Sequence, residues 1–264
     1  SKVVKYLKSV KHATQKEICY QTGVSEYVIN SLLKKGVILS VKISEEKDTS
    51  FIDAKKPDEI YIKPNLSDEQ NNVFEKLLEV YNSGKFEISL LHGVTGSGKT
   101  EVLMNLADKV ISENKSVIFT VPEISLTAQF IDVFRKRYQD KVVLIHSALS
   151  DKERFYAWKK LKQGNSFVVL GTRSAIFSPV KNLGLVVIDE EHEFTYKSDS
   201  NPRFNAKDIA KYRCKSSNAL LVFSSATPSI ESYYKAKSGR YKLFTLKSRY
   251  ADATLPDVKI VDMN

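Results

Sequence analysis

The stretch Gly93-Val94-Thr95-Gly96-Ser97-Gly98-Lys99-Thr100 constrains this chain more than any other. It fits the phosphate-loop pattern G-x-x-x-x-G-K-[ST] in full, it follows the apolar run Ile88 to Leu91, and it opens a helical pattern. A strand, a tight loop and a helix N-terminus must therefore follow one another. Glycine lets backbone N–H groups turn inward around phosphates, the helix end adds positive potential, and Lys99 supplies a point charge at the β and γ phosphates. Thr100 is then the expected Mg²⁺ ligand, and ATP with Mg²⁺ is the expected cofactor of Gly93, Val94, Thr95, Gly96, Ser97, Gly98, Lys99 and Thr100.

The rest of the sequence from residue 64 onward suits such a loop. Apolar strands are expected at Ile88 to Leu91, Ser116 to Val121, Val142 to Ile145, Phe167 to Leu170, Leu185 to Ile188 and Ala219 to Phe223. Helical windows fall between most of them, at Lys99 to Ser112, Ser125 to Tyr138, Lys152 to Lys162 and Ala206 to Arg213. Alternation of this kind implies parallel βαβ units with both sheet faces covered. The expected fold is α/β, a RecA-like P-loop NTPase lobe over residues 64–264.

Residues 1–63 read differently, and Pro64 marks the change. Thr14 suits an N-cap for a helix carrying Ile18, Gly23 suits a turn, and Ser25 suits the cap of a second helix. On that helix Val28, Leu32 and Leu33 are the expected core face, with Tyr27, Asn30, Ser31 and Lys34 opposite. Strand-like patterns at Val37 to Ile43 and Glu59 to Ile62 complete a small winged-helix domain. Its exposed stripe offers Lys34 and no Arg for bidentate contact to guanine, so backbone contact and plain domain packing both stay open.

Composition narrows the partners. The 264 residues carry a net charge of +10, which favours a polyanion such as nucleic acid. No apolar run approaches the ~20 residues of a membrane span, so a cytoplasmic location without membrane contact is expected. Cys19 and Cys214 are too few for a four-thiolate zinc site within this chain.

A second chemical signal lies at Leu185-Val186-Val187-Ile188-Asp189-Glu190-Glu191-His192, where acids collect at the carboxyl end of a buried strand. Asp189 is the expected Mg²⁺ partner, Glu190 the group that polarises the attacking water, and Lys99, Asp189 and Glu190 together the catalytic set. His192 is expected to couple rather than to act as a base. Farther on, Phe194, Tyr196 and Phe204 with Lys197 and Arg203 suit stacking on unpaired bases and contact with phosphates. The residues alone leave open a surface loop pinned by its aromatics. Thr172 and Arg173, just after a strand, read as phosphate contacts or as a helix cap.

These motifs resemble one family. Asp189-Glu190-Glu191-His192 resembles the DEXH box of superfamily 2 helicases, and the wider text is similar to the bacterial primosomal protein N′ family of replication-restart helicases. The likeness rests on Leu91 to Glu101, on Val121-Pro122-Glu123-Ile124-Ser125-Leu126-Thr127, on Gly171-Thr172-Arg173-Ser174-Ala175-Ile176-Phe177 and on Ser225-Ala226-Thr227-Pro228-Ser229. It implies that Gln70, in Leu66-Ser67-Asp68-Glu69-Gln70, reads the adenine edge, that the 193–204 segment links DNA to ATP, and that Thr227 relays nucleotide state. It further implies an ATP-driven 3′-to-5′ DNA helicase at stalled forks, acting on forked or single-stranded DNA. Primosome proteins and single-strand-binding protein are its implied partners, and a bacterial, nucleoid-associated setting its implied place. A second motor lobe with an arginine finger, zinc-binding cysteines and a fork-binding domain find no counterpart here, so the chain is expected to be a fragment. The rival expectation is a nucleotide-sensing DNA-binding module without motor activity.

Overall fold

The structure is a computed structural model and describes residues 3–4, 6–7, 18–19, 22–38, 61–165, 167–199 and 201–249. Two compact units divide the chain, residues 1–49 and 50–264.

In the first unit, helix α1 (Glu26–Lys34) follows Ser25, whose extended backbone suits an N-cap although its side chain caps nothing. Ile29 is buried with Val3 and Ile18, and Leu32 and Leu33 pack against them. The core face is thus Ile29, Leu32 and Leu33 at i, i+3 and i+4; Val28, expected inside, is exposed. Thr14 and most of the wing expected over 37–62 lie outside the described residues.

The second unit is the α/β lobe. Helix α2 (Asp68–Asn82) starts at a capping box in which the Gln70 N–H donates to the Ser67 hydroxyl and the Ser67 N–H donates to Gln70 Oε1. Strand β1 (Glu87–Gly93) leads through the phosphate loop into α3 (Lys99–Ser112). Then come β2 (Ser116–Thr120), α4 (Ala128–Tyr138), β3 (Val142–Ile145), α5 (Asp151–Lys162), β4 (Val168–Gly171) and β5 (Leu183–Ile188). Helix α6 (Ala206–Ser217), β6 (Leu220–Ser225), α7 (Ile230–Lys237) and β7 (Lys242–Leu246) follow.

The strands form a parallel seven-stranded sheet in the order β3-β4-β2-β5-β6-β1-β7. Side chains alternate across it into two cores. Val117, Phe119, Val187 and Leu91 pack with α2, α3 and α4, while Ile118, Val186, Ile188 and Phe223 pack with α5, α6 and α7. Burial on both faces explains why the central strands read as unbroken apolar runs. Gly171 ends β4 where a Cβ would run into the Ile145 carbonyl, so β3 and β4 approach closely at the end that carries Thr172 and Arg173.

Because every strand runs the same way, the phosphate loop, Pro122, Thr172, Asp189 and Ser225 all emerge at one end of the sheet. Their supports are held by a charge cluster on the α3–α4 side. Arg137 of α4, 4% exposed, donates to both oxygens of Asp108 at 3.0 and 2.7 Å, to Glu101 at 2.5 Å and to the Tyr61 hydroxyl at 3.1 Å. Lys63 adds a 2.8 Å bond to Asp108. Glu101 stands beside Thr100, so the guanidinium ties the helix that follows the phosphate loop to the helix that follows Val121-Pro122-Glu123. Burial alone would raise the Asp108 carboxyl, but the Arg137 guanidinium and the Lys63 ammonium bring it below its ordinary range.

Truncating Arg137 leaves Asp108 and Glu101 without their main partner. Arg137→Ala is expected to cost about 3 kcal/mol in urea-unfolding free energy, in the range of a broken buried pair. A loss under about 1 kcal/mol would show that the cluster is an ordinary surface network.

Candidate nucleotide site and its links

At the end of β1, Gly96 and Gly98 have φ of +79° and +76°, the left-handed region open to glycine. A Cβ at Gly98 would also run into the Gln70 amide. These turns bring the loop back on itself over Lys99. The Lys99 ammonium is buried and donates to the Gly93 carbonyl at 2.8 Å and the Val94 carbonyl at 3.4 Å. The Ser97 hydroxyl is buried with no hydrogen-bond partner among the described residues. A buried cation resting on weak neutral acceptors and an orphaned hydroxyl in a loop of backbone N–H groups fit a bound polyphosphate.

Gln70 occupies the neighbouring wall. Its Nε2 donates to the Ser97 carbonyl at 2.9 Å while Oε1 accepts from Ser67 N–H at 2.9 Å, the orientation of the amide following from those two partners. The side chain is therefore committed to joining α2 to the loop, and reading an adenine edge requires one of these bonds to open.

Strand β5 delivers three carboxylates into three different environments. Asp189 is buried, its N–H donates to the Thr120 carbonyl at 3.0 Å, and its Oδ1 accepts the Glu190 N–H at 3.1 Å. Burial pushes its carboxyl above the ordinary range, the nearby Glu190 charge adds to this, and the Lys99 charge opposes it. Such a carboxyl gains by holding a divalent cation, which restores its charged form.

Glu190 turns the chain at φ +44°, rare for a residue with a side chain and a mark of a constrained site. The Ser225 hydroxyl donates to Glu190 Oε2 at 3.4 Å, lies 2.8 Å from His192 Nδ1, and accepts the Thr227 N–H at 2.9 Å. A hydroxyl has one proton. With that proton on Glu190, His192 must carry its own at Nδ1 and donate to Ser225. His192 and Glu190 thus meet at the Ser225 hydroxyl, at the start of the Ser225-Ala226-Thr227 segment.

Glu191 is the residue that sequence reasoning missed. It is 0% exposed, and its carboxylate accepts from Lys207 Nζ at 2.9 Å, Ser229 N–H at 2.6 Å, Ser229 Oγ at 3.1 Å and Ser232 Oγ at 3.0 Å. Burial alone would raise its carboxyl, but Lys207 and the Ser229 donors bring it below the ordinary range. The end of β5 is thus bolted to the N-terminus of α7. A signal existed in the third consecutive acid, but its partners lie 16 to 41 residues away and no spacing rule brings them together.

Beyond His192 the chain makes a 3-10 turn, Phe194–Tyr196, and a loop closed by the Lys197–Asn205 bridge and a 2.8 Å bond from Ser198 N–H to the Phe204 carbonyl. Phe194 is 82% exposed, and Lys197 and Arg203 face solvent. Tyr196, expected to stack on bases, is instead 1% exposed, its hydroxyl 2.5 Å from the Asp189 carbonyl and 3.1 Å from that of Thr120. A ring sealed under the strand ends offers no face to a base; it props the Asp189 backbone. Phe204 is half-buried edge-on against Phe177, ring centres 4.8 Å apart. Arg173 donates to the Thr195 and Lys197 carbonyls at 3.0 and 3.2 Å, which anchors this loop to the end of β4. Thr172 is buried beside it, and Thr227 is exposed.

A phosphate loop and an acidic strand end on one edge of a parallel sheet define a P-loop nucleotide-binding lobe. The DEAD/DEAH box helicase family matches residues 67–236, and the chain belongs to that family. Among curated proteins it is 40% identical to the replication restart protein PriA of Bacillus subtilis over 94% of this chain and 30% of that protein. It is 39% identical to PriA of Chlamydia muridarum over 98% of this chain and 34% of that one. The chain thus spans about a third of the length of these relatives. The crystal structure of the Pyrococcus furiosus Hef helicase domain is similar over 72% of this chain and 39% of that one, at 18% identity and a TM-score of 0.49. Among the described residues no helix is long and apolar enough to cross a membrane.

The Glu191 contacts generate a stability prediction with a definite pH dependence. Glu191→Ala should cost about 3–5 kcal/mol by leaving Lys207 and two serines unpaired. For the milder Glu191→Gln, the difference from wild type should be fully present above the ordinary carboxyl value of 4.5 and shrink as pH falls through the lowered folded value. Urea melts of both proteins across that range measure it. A difference that grows on acidification would contradict the assignment.

Proposed function

We propose that this chain is the ATP-binding and ATP-hydrolysing lobe of a DNA helicase that acts in replication restart. The observation that carries the reading is the Ser225 hydroxyl, shared by Glu190 of the acidic strand end, His192, and the Thr227 backbone. One side chain therefore senses both the hydrolytic carboxylate and the segment that leads out of β6. The names of the PriA relatives support the pathway, and the net charge of +10 supports a nucleic-acid partner.

In this reading Lys99 Nζ exchanges the Gly93 and Val94 carbonyls for phosphate oxygens, and Ser97 and the loop N–H groups complete the cradle. The Thr100 hydroxyl and the Asp189 carboxylate would hold Mg²⁺, which would supply charge neutralisation on the phosphates. Glu190 orients the attacking water and takes its proton at the carboxylate. Deprotonation draws on a carboxylate already hydrogen-bonded to Ser225, so the strength of that bond changes with the state of the reaction. Arg173 holds the 194–205 loop to the end of β4 through two backbone carbonyls, so that the loop stays beside the acidic strand end. Phe194, Lys197 and Arg203 are the groups that meet single-stranded DNA, and Phe204 backs them through Phe177.

The finer parts of the proposal are a 3′-to-5′ direction, a second motor lobe that supplies the arginine finger, zinc held outside these residues, and primosome and single-strand-binding proteins as partners. They follow the resemblance of the motifs. A nucleotide-sensing module shares the same site but gains no turnover from DNA, so DNA-stimulated ATP hydrolysis by the complete helicase separates the two.

Two measurements test the assignment. Lys99→Ala should weaken ATP binding in calorimetry by at least tenfold, since the ammonium is the main positive charge in the loop; unchanged affinity would remove the site. Phe194→Ala and Arg203→Ala, made in the complete helicase, should leave ATP affinity intact and reduce the apparent affinity for the stimulating single strand by about fivefold or more. Normal stimulation in both variants would make the loop structural.

A further inference from the structure

Helix α5 carries a surface that neither the nucleotide site nor the 194–205 loop uses. It lies beside the edge strand β3 and buries Ala157 and Leu161 against the core. Phe155, Trp158, Lys159 and Lys162 stand at i, i+3, i+4 and i+7, one face of the helix, and that face is outward: Phe155 is 64% and Trp158 39% exposed. Lys152 and Arg154 flank it. Two large exposed rings one helical turn apart mark a candidate contact surface.

Charge narrows the reason. From Arg154 to Lys162 the helix has four cations and no acid. Of the two acids before them, Glu153 is committed to its capping box, accepting from Ser150 N–H at 2.8 Å and Ser150 Oγ at 2.6 Å. A face for an apolar protein partner has no use for this cationic rim, and a purely electrostatic face has no use for the rings. Flat apolar surfaces alternating with positive charge suit a chain with the converse pattern, stacked bases along a phosphate backbone.

Topology places the beginning of this face, at Phe155, toward the end of the sheet that carries the motif loops, and the helix then runs back along the edge of the lobe. The strands are parallel, so the segment leaving β3 enters α5 at the end of the sheet where β4 gives Thr172, β2 gives Pro122 and β5 gives Asp189. Along that edge, exposed apolar side chains recur after each strand in sheet order: Phe155 after β3, Phe177 after β4, Ile124 after β2 and Phe194 after β5.

We propose that the Phe155–Trp158 face of α5 is a second contact for single-stranded nucleic acid, stacking bases on the two rings and pairing phosphates with Lys159 and Lys162. The contact extends a path that begins at the 194–205 loop and ends on the outer edge of the lobe. It rests on the reading that the chain engages single-stranded DNA, and it adds a site independent of the helicase motifs.

Trp158 is the only tryptophan in the chain, which makes the face its own reporter. The experiment titrates the 264-residue chain with dye-labelled oligo(dT), following tryptophan emission and, separately, dye anisotropy. Expected are quenching of Trp158 that tracks the anisotropy curve, about fivefold or greater weakening in Phe155→Ala, and a salt slope reduced by about one to two in the Lys159→Gln, Lys162→Gln double variant. These exposed substitutions keep the reporter, and circular dichroism verifies the fold. Normal anisotropy binding with unchanged Trp158 emission, or with unaltered affinity in both variants, overturns the α5 contact and leaves the loop contact standing. No anisotropy change for wild type overturns single-strand binding by this chain as a whole.

Discussion

Everything in the lobe depends on how the end of β5 disposes of three adjacent negative charges. Consecutive carboxylates repel, and burial makes each more costly to ionise. The chain separates their fates. Asp189 points into the nucleotide site with its charge disfavoured, Glu190 turns away on a left-handed backbone toward Ser225, and Glu191 is neutralised by Lys207 and the start of α7. Only one of the three is fully satisfied by the protein. The two that are not are the carboxylates to which the proposed mechanism gives a cation and a water.

The same solution produces connectivity. Glu191 fixes α7 and the segment before it, so the Ser225 hydroxyl is held within reach of Glu190 and His192. Tyr196 braces the Asp189 backbone from below the strand ends, and Arg173 binds the following loop by its carbonyls. Arg137 does the equivalent work for the helix behind the phosphate loop. Most of these braces join segments distant in sequence.

What the sequence made legible follows from which interactions are local. The phosphate loop and strands β1 to β6 could be read because glycine placement and unbroken apolar runs are local consequences of a buried parallel sheet. Helix α3 was expected over the residues it occupies, and α4 begins three residues later than expected because Glu123–Ser125 forms a separate 3-10 turn and Thr127 then caps α4. Strand β7 was not foreseen: Lys-Leu-Phe-Thr-Leu is short and only partly buried, and it is a strand because β1 offers an open edge. Glu191 and Tyr196 escaped for a related reason, since their partners are set by tertiary packing. An aromatic near a helicase motif reads as a stacking group until the fold places it under the strand ends.

If the Ser225–Glu190–His192 junction couples the nucleotide to the DNA face, occupancy of one must alter affinity at the other, and by the same factor in both directions. The decisive measurement is the affinity of the complete helicase for single-stranded DNA with and without a non-hydrolysable ATP analogue, repeated with Ser225→Ala. A change of about fivefold or more in the wild type, reduced in the variant, is the predicted result. Identical DNA affinities with and without the analogue in the wild type would contradict the account.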